Sequence, residues 1–153
     1  MTVAVGSPAP KFTLATDQGE VSLAALKGRP TVVYFYPKDD TSGCTREAIG
    51  FSCLAEEFAK AGATVIGISP DTVEKHGKFR AKHKLTVALG SDPEHTVAEL
   101  YGAWGEKSLY GKKYFGIIRS TFLIGADGIV AKVWPKVKVE GHAEEVLAAV
   151  KAL

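Results

Sequence analysis

The sequence predicts an α/β fold with a mixed central sheet, helices on both faces and an N-terminal β-hairpin extension, all in one domain over residues 1–153. Three observations carry this. Residues 31–36 are an unbroken run of β-branched and aromatic residues, and 64–68 are apolar or β-branched apart from Gly67, the pattern of strands covered on both faces. Apolar residues after each run recur at three- and four-residue steps, which marks an amphipathic helix. A late pair of strands around Asp127-Gly128 needs an antiparallel edge, whereas the earlier alternation of β and α needs parallel crossovers.

Residues 12–15 and 21–23 flank the turn Asp17-Gln18-Gly19-Glu20 and read as a hairpin. Ser22 is placed to cap a helical turn through Leu26. Gly28-Arg29-Pro30 breaks that turn, and residues 31–36 follow as a buried central strand. From 45 to 61 a stripe of Ala48, Phe51, Leu54, Ala55 and Phe58 predicts one helix, closed by Gly62. Residues 64–68 form the second buried strand, ended by Ser69-Pro70-Asp71. Residues 72–83 read as a helix with Val73, His76 and Phe79 on one side, and 86–89 as a weak strand. Asp92 is expected as N-cap and Pro93 as first residue of a short helix. Residues 101–116, glycine-rich and aromatic, read as loop. Residues 117–124 and 129–134 are strands joined at Asp127-Gly128, and 141–153 a closing helix with Val146, Leu147 and Val150 inward.

Composition narrows the function classes. Hydrophobic residues make up 46% and charged residues 24% of 153, as in an ordinary globular domain. The net charge of +2 is too small and too evenly spread for a nucleic-acid partner. Lys136 and Lys138 alternate with Val137 and Val139, which reads as the solvated face of a strand. Residues 1–8 lack the basic-then-apolar pattern of a leader, and no apolar run approaches the roughly 18 residues of a membrane span. The expectation is a cytoplasmic protein with no membrane partner. The four histidines have no ligand spacing, and nothing calls for a metal or organic cofactor.

The two cysteines, Cys44 and Cys53, are too few for a disulfide-stapled scaffold and lack the spacing of a zinc site. Cys44 stands where a polar loop ending in Gly43 meets the start of a helix. There the free N–H groups and the positive end of the helix dipole favour thiolate, the nucleophilic form. Dithiol chemistry of the Cys-x-x-Cys type needs a second cysteine three residues on, and that position is Glu47.

What remains is a single cysteine in the pattern Pro37-x-x-x-Thr41-x-x-Cys44. With Tyr34-Phe35-Tyr36-Pro37, Gly43-Cys44-Thr45-x-Glu47, Gly50-Phe51, Gly67-Ile68-Ser69, the run from Tyr101-Gly102 to Trp104-Gly105-Glu106-Lys107, and Arg119 to Ile124 followed by Asp127-Gly128, it resembles the bacterioferritin-comigratory (Q-type) branch of the peroxiredoxins. These are antioxidant thiol peroxidases on a thioredoxin-like fold. The resemblance implies peroxidatic attack by Cys44 on hydrogen peroxide and small organic hydroperoxides. It also implies a hydroxyl contact from Thr41, a fixed positive charge from Arg119 and shielding by Pro37. Main-chain N–H groups of Gly43 and Cys44 would bind peroxide oxygen, and Glu47 would orient an arginine or serve only as a first-turn acid. Such attack demands stabilisation of negative charge along the sulfur–oxygen–oxygen axis. Trp104 and Tyr110 read as packing residues.

The sulfenic acid so formed needs a reductant. The branch often places a resolving cysteine five residues after the first, here Ile49, or on the next helix, where this chain has none. Cys53 is nine residues on; in an intact helix it lies about 13.5 Å away after about 900° of rotation, on the opposite face. A disulfide requires Cα atoms within about 7 Å, so Cys53 resolves Cys44 only if the helix start unwinds. The alternative is one-cysteine chemistry with an external thiol. Thioredoxin, glutaredoxin or a low-molecular-weight thiol is the implied reductant, and a monomer or weak homodimer the implied state. The non-enzymatic rival is a redox sensor or holdase switched by Cys44 oxidation. A cysteine hydrolase is disfavoured because no histidine is placed as its base.

Overall fold

The structure, a computed structural model, describes residues 3–153; Met1 and Thr2, part of the segment read as lacking a leader, lie outside them. Among the described residues, nine strands and five α-helices follow one another. They are β1 (Thr13–Thr16), β2 (Gly19–Ser22), β3 (Thr31–Phe35), α1 (Ser42–Cys53), α2 (Ala55–Lys60), β4 (Thr64–Ser69), α3 (Val73–His83), β5 (Ala88–Ser91), α4 (Thr96–Tyr101), β6 (Trp104–Leu109), β7 (Lys112–Ile117), β8 (Ser120–Ile124), β9 (Val130–Trp134) and α5 (His142–Lys151). Seven strands form one mixed sheet in the order β2-β1-β5-β4-β3-β8-β9, and β6 and β7 pair separately. The β3–β4 and β4–β5 pairs are parallel, while β3–β8 and β8–β9 are antiparallel.

All five residues of β3 are buried because helices cover both faces of the sheet's centre. Val32, Tyr34 and Tyr36 point into a core shared with Phe51 of α1, Phe58 of α2, Phe79 of α3 and Val146 of α5. Val33 and Phe35 point the other way, onto Ala98 and Tyr101 of α4. Burying one such aromatic is worth about 1.5–3 kcal/mol. Tyr34 sits opposite Gly67 in the β3–β4 register. A Cβ on Gly67 would lie 2.6 Å from the tyrosine ring, so glycine is what lets the ring fold over β4.

Several expectations change. The helix expected over 45–61 starts earlier, at Ser42, and is two helices: Leu54 leaves helical geometry at φ −100°, ψ 11°. Beside the break, the Thr86 N–H donates to the Ser52 hydroxyl at 3.0 Å. Ser22 does not cap the turn at Ala24–Leu26; that turn is a 3-10 helix entered at Leu23 without a side-chain cap. Asp92 is not the N-cap residue of α4, which is His95. Its carboxylate nevertheless accepts the N–H groups of Val97 and Ala98 at 3.3 and 3.0 Å.

The segment expected as loop is the β6–β7 hairpin. Its tip, Tyr110-Gly111, has positive φ at both residues (51° and 77°), as a two-residue hairpin turn requires. Tyr110 is 96% exposed, so it packs on nothing, whereas Trp104 stacks on His95 at 3.6 Å. The strand expected over 117–124 is interrupted at Ile118 and Arg119, and β8 begins at Ser120. Lys136 and Lys138 lie in irregular chain after β9, not on a strand.

Candidate active site

The carboxyl ends of parallel strands are where open α/β sheets build sites, and β3 ends by feeding the loop that enters α1. Thr41 is the N-cap residue of α1, with extended φ and ψ of −87° and 157°. The first intrahelical bond runs from the Thr45 N–H to the Thr41 carbonyl. The N–H groups of Ser42, Gly43 and Cys44 precede it, which leaves the positive end of the helix at the Cys44 thiol. Cys44 itself is 1% exposed.

Arg119 reaches the same point from across the sheet. Ser120 lies opposite Phe35 in the β3–β8 register, so Arg119 sits beside the end of β3 and over the start of α1. Its Nη2 donates to Cys44 Sγ at 3.2 Å and its Nη1 to Glu47 Oε1 at 2.7 Å. One guanidinium therefore bridges the thiol and the buried carboxylate. Gly43 makes room: a Cβ there would stand 3.2 Å from Nη2.

Glu47 is 2% exposed and stands one turn past Cys44, so it is not a first-turn acid. Burial, outweighing the opposing pull of Arg119, raises its pKa to about 7, and its Oε2 has no hydrogen-bond partner among the described residues. Burial works against the Arg119 cation, but Glu47 and then Cys44 outweigh it and hold that guanidinium above its ordinary value. The site is thus a fixed cation braced by a buried carboxyl group.

The other expected residues are engaged differently. The Thr41 hydroxyl donates to the Lys38 carbonyl at 2.9 Å rather than to the thiol. Pro37 is half-buried in the same loop. Cys53 ends α1 and is exposed, with the helix continuous between it and Cys44, and both thiols are free.

Sequence reasoning missed two groups. Lys107, inside the segment taken for a loop, donates to the Ile117 carbonyl at 2.9 Å. Burial, and then Arg119, lower its ammonium from the usual lysine value, while Cys44 raises it. Asp39, Asp71 and His76 form a buried cluster beside the loop. The only signal for it was His76 falling on the apolar side of its helix.

The chain matches the model of the AhpC/TSA family over residues 5–133. It is 49% identical over 152 residues to the peroxiredoxin Bcp of Bacillus subtilis, covering 99% of this chain and 97% of that protein. Among solved structures, Xylella fastidiosa PrxQ superposes with a TM-score of 0.93 at 36% identity, covering 99% of this chain and 98% of the other. The Xanthomonas campestris bacterioferritin comigratory protein, studied for alkyl peroxide reduction through trapped intermediate and ligand complexes, superposes with a TM-score of 0.87 at 44% identity, covering 92% and 90%. With the thioredoxin-like architecture and a cysteine under an arginine at a helix start, these likenesses establish the family: this chain belongs to the AhpC/TSA peroxiredoxins, in their Bcp (Q-type) branch.

Proposed function

We propose that this thiol peroxidase acts through Cys44, with Arg119, Gly43, Thr41 and Pro37 forming the peroxide pocket and Glu47 holding the arginine. The single observation that carries the assignment is the Arg119 fork, 3.2 Å from Cys44 Sγ and 2.7 Å from Glu47 Oε1. The sulfur lone pair attacks the terminal peroxide oxygen, an S–O bond forms and the O–O bond breaks. The bonding pair leaves on the second oxygen, which takes a proton and departs as water or an alcohol. Negative charge spreads from sulfur to that departing oxygen. The guanidinium and the first-turn N–H groups, fixed beforehand, face that charge without having to reorganise. Thr41 supplies a hydroxyl by turning from the Lys38 carbonyl, and Pro37 limits water.

Recovery begins when a thiol attacks the sulfenic acid and expels water, leaving a disulfide. An external dithiol such as thioredoxin then exchanges it and is itself oxidised. With α1 intact, Cys53 stands too far round and too far along the helix to be that first thiol, which favours direct attack by the reductant. The working unit is a monomer or weak homodimer acting in the cytoplasm on hydrogen peroxide and small organic hydroperoxides.

Sustained consumption of hydrogen peroxide with excess dithiothreitol or a thioredoxin system is expected, and Cys44→Ser should abolish it with circular dichroism unchanged. Consumption that stops after one equivalent would leave the sensor or holdase reading; sustained turnover by Cys44→Ser would remove Cys44 from the chemistry.

A further inference from the structure

Asp39 ties the loop that leads from β3 into α1 to the rest of the fold. Asp39 is 9% exposed; its Oδ1 accepts the Tyr36 hydroxyl at 2.6 Å, and its N–H donates to Asp71 Oδ2 at 2.7 Å. Its Oδ2 lies 2.7 Å from Nδ1 of His76, a residue of α3 with no exposed surface. The other ring nitrogen, Nε2, lies 3.1 Å from the Gly90 carbonyl of β5. A carbonyl can only accept, so Nε2 carries a hydrogen. The carboxylate oxygen facing Nδ1 then requires a second proton between the two atoms. Asp39 and His76 are thus joined by one shared proton and are neutral as a pair, whichever atom holds it. Asp71 is fixed in turn by the Ser69 hydroxyl at 2.7 Å, and its carbonyl by the Ser91 hydroxyl at 2.6 Å.

Asp39 is flanked by Lys38, whose carbonyl holds the Thr41 hydroxyl, and by Asp40, whose φ of 61° is left-handed. Asp40 is bonded to Lys82 and His83, also of α3, at 2.7 and 2.9 Å. A buried pair of this kind adds little stability over apolar residues of the same size, because both groups must be desolvated. What it fixes is geometry.

We propose that the Asp39–His76 pair is the positioning element of the peroxide pocket: it locks the loop of residues 36–41 to α3 and so sets Pro37 and Thr41 over Cys44. This rests on the reading that Cys44 attacks peroxide beneath that loop. Neither residue touches the peroxide. Misplacing the loop by about 1 Å lowers the rate of peroxide attack by about 10- to 100-fold and leaves the thiol as reactive toward other electrophiles.

The test uses full-length protein carrying Cys53→Ser, and measures Cys44 oxidation by hydrogen peroxide and Cys44 alkylation by iodoacetamide. His76→Phe and His76→Gln should slow oxidation at least about tenfold without slowing alkylation. His76→Asn carries an amide N–H where Nδ1 stood and should recover most of the peroxide rate. An unchanged peroxide rate, an equal fall in both reactions, or an asparagine variant no better than phenylalanine overturns the proposal. If His76→Phe does not fold, Asp39→Leu, which removes both acceptor oxygens, supplies the same comparison, with selective loss of the peroxide reaction expected. Adding Cys44→Ser separates the two readings. If it abolishes peroxide reduction while the His76 variants react normally, only the positioning role fails; if peroxide is still reduced without Cys44, the parent reading fails.

Discussion

Replacing Glu47 by glutamine should stabilise the protein at alkaline pH and leave it unaffected in acid. In the folded chain this carboxyl group is 2% exposed, with one oxygen on Arg119 and the other without a partner among the described residues. Burial lifts its pKa from 4.5 to about 7. The folded state therefore holds the proton more tightly than the unfolded state does. That stabilisation is complete below pH 4.5, declines as the pH rises and is gone above about 7. Each pH unit in the window is worth about 1.4 kcal/mol, so the whole amounts to about 3 kcal/mol. Glutamine keeps the shape and an acceptor for Arg119 but has no charge to desolvate. Urea unfolding of both reduced proteins from pH 4.5 to 8 gives the difference directly, since all other titrating groups are common to both. The variant should gain about 3 kcal/mol on the wild type across that range, levelling off above pH 7. A difference that is flat, or that favours the wild type as pH rises, would refute the reasoning: Arg119 would then outweigh burial, and Glu47 would be ionised throughout.

Three further substitutions probe the site and its support. Arg119→Lys cannot fork to Cys44 and Glu47 together, and stopped-flow oxidation of Cys44 should slow by about 100-fold. Gly43→Ala places a Cβ 3.2 Å from Arg119 Nη2; the guanidinium must shift by a few tenths of an ångström, and the peroxide rate should fall about tenfold while unfolding stability stays within about 1 kcal/mol. Gly67→Ala drives a methyl group to 2.6 Å from the Tyr34 ring, and denaturant unfolding should register a loss of about 1–3 kcal/mol or more.

The sheet's centre was legible because β3 and β4 are covered on both faces and their residues say so without alternation. The site was legible for a different reason. Pro37, Thr41, Gly43 and Cys44 are close in sequence, and an arginine in an apolar run needs a counter-charge; Glu47 supplies it. What stayed hidden depends on contacts distant in sequence. Periodicity ran through Leu54 undisturbed, and the contact of Ser52 beside the break is with Thr86, 34 residues on. The β6–β7 hairpin escaped notice because a tyrosine takes the left-handed turn position usually given to asparagine or glycine. Asp39 and His76 are 37 residues apart, and each alone reads as a loop acid and a core histidine. The Thr41 hydroxyl, expected at the thiol, gives its hydrogen bond to the Lys38 carbonyl instead.

The proposed function stands or falls on Cys44 Sγ taking the peroxide oxygen. Reduced protein given one equivalent of hydrogen peroxide, trapped with dimedone and followed by intact mass and peptide mapping, tests it in one step. A single adduct is expected on the peptide containing Cys44, none on Cys53, and none at all in Cys44→Ser. An adduct confined to Cys53, or one that persists in Cys44→Ser, would contradict it.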